Sequence, residues 1–180
     1  EYPGTYTYAA HLFDIPGEIG ANCTGVSVGG FEMSSTNYIV AMNTIDHSLV
    51  SEFTSFDMVG LEIDQRDIIL CTCARNMVEN VSMEQITHAK YVGSEKIASI
   101  PQLVKVSDDK LVLLWQEYDK NNIRGDLKYV LIDENGYATS KIQTIENFTL
   151  SKCKPIVVDN RLFWYTNENA IRVLYSIPLD

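Results

Sequence analysis

Six side chains stand out as candidates for binding chemistry: Asp46, His47, Phe53, Phe56, Asp119 and Asp126. Asp46 and His47 open a long stretch in which Phe53, Phe56, Met58 and Leu61 are interspersed with Glu52, Asp57, Glu62 and Asp64. A carboxylate next to an imidazole can move protons or hold a ligand. Aromatic side chains on a long connection can cover a neighbouring apolar surface or touch a ligand. Asp119-Lys-Asn-Asn-Ile-Arg-Gly-Asp126 is rich in oxygen ligands but lacks the D-x-D-x-D-G spacing and closing glutamate of a calcium loop. It reads as a solvated connection. The three histidines, His11, His47 and His88, share no metal-ligand spacing with cysteine or carboxylate. No G-x-S-x-G elbow, phosphate loop or H-E-x-x-H helix occurs, so neither a metal nor a cofactor is expected.

Cys71 and Cys73 flank Thr72 inside the apolar run Ile68-Ile-Leu-Cys-Thr-Cys-Ala-Arg75. On a strand they share a face about 7 Å apart, too far for an unstrained bridge, and they read as buried free thiols. A bridge between Cys23 and Cys153 stays open.

These residues need a scaffold, and composition bounds it. The 180 residues suffice for one domain or a piece of a larger one, and 46% apolar content allows a packed core. With 24 acidic against 14 basic residues the net charge is −10, a field that repels phosphate backbones and anionic lipids. Nucleic acid is therefore excluded as a general partner. No apolar run approaches the ~20 residues that span a bilayer, so no membrane insertion is expected. The chain opens at Glu1 without a basic stretch followed by an apolar one, which reads as a boundary or processing point.

Helical periodicity is scarce. Short β-branched and aromatic runs alternate with turn clusters, which predicts an all-β chain. Pro101-Gln-Leu-Val-Lys-Val106, Leu111 to Tyr118, Leu127 to Ile132 and Ala138 to Ile145 form one unit, with turns at Asp108-Asp109 and Asn135-Gly136. A second copy begins at Pro155-Ile-Val-Val158, runs through Leu162 to Tyr165 and Ile171 to Ser176, and lacks its last strand. A looser copy covers Gly25 to Tyr91, with the 46–66 stretch inserted between its second and third strands. Four-stranded antiparallel units repeating at about 50 residues predict β-propeller blades. Such sheets cover each other's faces, which accounts for apolar residues on both parities of Leu111-Val-Leu-Leu-Trp115. The predicted blades are 23–97, 98–150 and 151–180 plus 3–16, the segment Thr5-Tyr-Thr-Tyr-Ala-Ala-His-Leu-Phe13 supplying the missing strand. Three blades make a partial propeller; further blades or a second copy, forming a homodimer, would complete the ring. A β-sandwich or barrel is the alternative. Trp115 and Trp164 fall at matching parity in second strands and are expected to pack between sheets.

The unit with Leu111-Val-Leu-Leu-Trp115 and Leu127-Lys-Tyr-Val-Leu-Ile-Asp-Glu-Asn-Gly136 resembles blades of secreted β-propellers on the surface of Gram-positive bacteria. Its partner Leu150-Ser-Lys-Cys-Lys-Pro-Ile-Val157 with Leu162-Phe-Trp-Tyr-Thr166 resembles them too. The resemblance covers 98–180 well and 23–97 weakly, and it implies an extracellular or cell-surface location without importing catalytic residues. No sialidase-type S-x-D-x-G-x-T-W box or Trp-Asp dipeptide is present, and Val28-Gly-Gly-Phe31 matches a kelch diglycine only once.

The functional expectation is a non-catalytic extracellular binding or scaffold module whose loops recognise a protein or a glycan. The alternative is a segment of a carbohydrate-active propeller enzyme, glycoside hydrolase-like, working through paired carboxylates about 5 to 10 Å apart. On the axial surface, two close buried carboxylates of raised pKa would favour the enzyme; a channel lined by Ser, Thr and backbone would favour the module.

Overall fold

A computed structural model describes residues 27–44, 65–76, 83–91, 93–121 and 123–180. All of the regular structure in these residues is β. They contain no helix long and apolar enough to cross a membrane. The predicted N-terminal strand, Cys23 and most of the 46–66 insertion lie outside the described residues.

Three antiparallel sheets follow one another along the chain. Sheet A is a four-stranded meander of β1 (Ser27–Met33), β2 (Asn37–Thr44), β3 (Asp67–Ala74) and β4 (Met83–Ala89). Sheet B has five strands: β5 (Lys96–Ala98), β6 (Gln102–Lys105), β7 (Lys110–Asp119), β8 (Arg124–Asp133) and β9 (Gln143–Ile145). Sheet C has three: β10 (Ile156–Val158), β11 (Arg161–Glu168) and β12 (Ile171–Pro178).

Sheet B is a four-lane meander with an interrupted first lane. β5 pairs with one end of β7, Ala98 opposite Glu117, and β6 pairs with the other, Gln102 opposite Leu114. The lane breaks at Pro101, whose missing N–H cannot continue a ladder. Two-residue turns join the strands of sheet C: Asp159 and Asn160 (φ 48° and 54°), then Asn169 and Ala170 (φ 48° and 66°). Paired left-handed residues give the turn twist that matches a hairpin.

The sheets stack in the order A, B, C. Ile39, Ala41, Ile68 and Leu70 of sheet A pack on Leu103, Leu111, Leu113, Trp115, Val130 and Ile132 of sheet B. The alternate residues of sheet B, Val104, Val112, Leu114 and Leu127, pack on Leu162, Trp164 and Ile177 of sheet C. Sheet B is thus covered on both faces, which is why β7 is apolar at both parities. Leu111, Leu113 and Trp115 face the preceding sheet, and so do Leu162 and Trp164, so the matching parity expected of the two tryptophans is present. On the far face of sheet A, Val40, Met42, Ile69 and Cys71 form a third buried cluster.

Between sheets, the closest backbone neighbours of β6 are β1, β2 and β10. A Cβ on Gly29 would lie 1.9 Å from the Pro101 carbonyl oxygen, and one on Gly30 would lie 2.7 Å from the Leu103 nitrogen. Only a strand without side chains fits there. At one end of the stack the β1–β2 turn is stapled to sheet B. Buried Ser34 donates through Oγ to the Glu134 carbonyl (2.7 Å), Asn37 Nδ2 donates to Asn135 Oδ1 (3.0 Å), and the Ser35 amide donates to the Asp108 carbonyl (2.7 Å).

Candidate functional site

The opposite end carries the long connections. There β2 leaves toward the 45–66 segment, β7 turns into β8, and the chain enters β10. Asp46, His47, Phe53 and Phe56 belong to a segment outside the described residues. Asp119 and Asp126 are both at this end, but in different settings. Asp119 Oδ1 accepts the amides of Asn121 (2.9 Å) and Ile123 (2.7 Å), which folds its own turn. Asp126 sits within β8, not in a loop, with Oδ2 3.7 Å from Lys128 Nζ.

Beside Asp126, between sheets A and B, lies a polar network. Glu117 ends the apolar run of β7 and is nearly buried. Its Oε2 pairs with Lys96 Nζ at 2.7 Å and Lys128 Nζ at 3.5 Å, and its Oε1 accepts from Tyr91 Oη at 2.7 Å. Tyr91 Oη accepts from Trp115 Nε1 (2.6 Å), while the Tyr91 amide donates to Asp67 Oδ1 (2.6 Å). Burial pushes the Glu117 carboxyl up, yet the hydrogen bonds from Lys96 and Tyr91 and the nearby lysine charges outweigh it and hold it below its usual range. Burial likewise drives the Tyr91 hydroxyl upward, with the Trp115 bond opposing it and Glu117 adding to it. Glu117 is therefore ionised and a poor proton donor at neutral pH. The network fastens sheets A and B together at this end. Among the described residues no group of three or more His, Cys, Asp and Glu gathers at metal-ligand spacing.

A cleft of about 420 Å³ opens where β1, the β5–β6 break, the end of β7 and residues 150–152 meet. Its polar lining is Ser99, Gln102, Gln116, Tyr118, Ser151 and Lys152; among the described residues no carboxylate lines it. Two amides brace it. Gln116 Nε2 donates to the Gly125 carbonyl (2.7 Å) and its Oε1 accepts the Leu150 amide (2.8 Å). Gln102 Nε2 donates to the Ser151 carbonyl, while its Oε1 is buried without a partner among the described residues. Such an orphan acceptor costs free energy until a donor reaches it.

Gln102, Gln116 and Tyr118 escaped the sequence reading. The available signal was the pair Gln116-Glu117, two polar residues ending an apolar strand. Gln102 and Lys152 carried none, because only the approach of four separate segments makes the cleft. Cys71 and Cys73 are free and buried, burial pushing Cys71 up to about 11; Cys153 is exposed and free, 3.2 Å from Tyr165 Oη. No family model matches the chain, and no curated protein or solved structure matches it either.

Proposed function

We propose that this chain is a non-catalytic extracellular binding module, part of a β-propeller, that takes a glycan or a peptide in the cleft at its loop-bearing end. The observation that carries this reading is the cleft itself. Among the described residues it offers amide and hydroxyl groups, one unsatisfied acceptor at Gln102, a tyrosine and a single cation, and no acid–base pair. Neutral hydrogen-bonding groups around an aromatic ring suit hydroxyl-rich or amide-rich ligands. The propeller reading draws support from the convergence of first strands at β6 and from three consecutive meanders, each covering the next. On it, Thr5 to Phe13 supplies the fourth strand of sheet C, and further blades complete the ring. Location at the cell surface follows from the resemblance to secreted bacterial blades.

Saturation-transfer NMR with a panel of neutral oligosaccharides and blocked peptides tests the binding reading. Transfer to at least one class, weakened about tenfold in Gln102→Leu without a change in melting temperature, supports it. Absence of transfer from both classes, or cleavage of an oligosaccharide in the tube, refutes it.

A further inference from the structure

Among the described residues no sheet packs on the outward face of sheet C. The registers of β10, β11 and β12 put Ile156, Val158, Arg161, Phe163, Tyr165, Asn167, Arg172 and Leu174 on the side away from sheet B. Ile156 is 61% exposed, Val158 48%, Tyr165 50% and Leu174 70%, an apolar surface that water disfavours and that marks a contact site. A hollow of about 400 Å³ lies on it between Tyr165, Asn167, Arg172 and Leu174. The charge pattern says what fits. Arg161 and Arg172 stand at opposite ends of this face, its strand positions carry no carboxylate, and among the described residues neither arginine forms an ion pair. In a chain of net charge −10 this is a cationic, apolar island.

We propose that this face docks an acidic, apolar polypeptide surface, its carboxylates meeting Arg161 and Arg172 and its apolar side chains covering Ile156, Val158, Tyr165 and Leu174. Arginine suits this because its planar guanidinium binds a carboxylate through two parallel bonds. A second copy of the chain is a poorer match. The far face of sheet A presents Phe31, Tyr38, Gln85 and Thr87, and the carboxylate at that parity among the described residues, Asp67, is buried and already accepts the Tyr91 amide. Pairing two copies of sheet C would set arginine against an arginine-bearing face. The inference stands apart from the cleft reading, since the two surfaces share no residue.

Two blocked peptides serve as probes, one alternating leucine with glutamate and the other leucine with lysine, titrated into the ¹⁵N-labelled protein. The glutamate peptide is expected to shift resonances of β10 to β12 selectively. Arg172→Glu should weaken it about tenfold or more and turn the preference toward the lysine peptide. Arg172 is exposed, and Gln102 and Tyr118 remain intact, so cleft binding and face binding fail independently. Equal binding of the two peptides, or indifference to Arg172→Glu, overturns the proposal. So does concentration-dependent dimerisation in sedimentation that Leu174→Glu abolishes, because the occupant is then a second copy.

Discussion

Glu117 shows how one side chain at the end of an apolar strand can hold two sheets. Replacing it with glutamine removes the ion pairs to Lys96 and Lys128 and leaves Tyr91 with a weaker acceptor. Lys96 is largely exposed, which limits the loss; urea denaturation of Glu117→Gln should show a drop of about 1–2 kcal/mol. The pH dependence has a defined sign. A carboxyl held low in the folded state contributes stability above its unfolded value, about 4.3, and loses that contribution as pH falls through the lower folded value. Stability of the parent should therefore fall more steeply below pH 4 than that of Glu117→Gln, and a variant curve of equal slope would show that the carboxylate is not held low. Ala170 is a second residue-scale case. Its φ of 66° places a Cβ where an L-residue is strained, so Ala170→Gly should raise stability by about 0.5–1 kcal/mol in the same assay. The role of Glu117 was not legible from the chain, because Tyr91, Lys96 and Lys128 come from three separate elements.

Elements were read more readily. Second and third strands of each unit appear where β-branched runs lie between turn pairs, and Asp159-Asn160 and Asn135-Gly136 turn as their residue types require. Two features were not legible. β5 is only three residues long and becomes a strand through pairing with the far end of β7, a tertiary effect that local composition does not carry. Ala138 makes a single bridge to Ile132 before β9 begins at Gln143, so the predicted long last strand is broken. The Gly29-Gly30 pair looked like an isolated motif; its physical reason is the closeness of Pro101 and Leu103. Gly29→Ala must push backbone against backbone, and a loss of about 2–3 kcal/mol is expected from thermal and urea unfolding. A loss under about 0.5 kcal/mol would mean that β1 and the β5–β6 break are not in contact.

At the scale of the molecule, the stacking of sheets was legible because β7 is apolar at both parities, a pattern that a one-sided sheet would not need. The cleft and the cationic outer face were not, since both depend on which segments meet and which face is left open. The propeller proposal requires the sheets to radiate from a common line at their first strands instead of lying as parallel layers. Electron–electron double resonance between spin labels on noncanonical residues tests it most directly. One pair joins the first strands of sheets A and B at positions 31 and 105, the other joins their last strands at positions 85 and 144. A radial arrangement predicts that the last-strand distance exceeds the first-strand distance by at least one strand spacing, about 5 Å. Equal distances would describe flat layers and contradict the account.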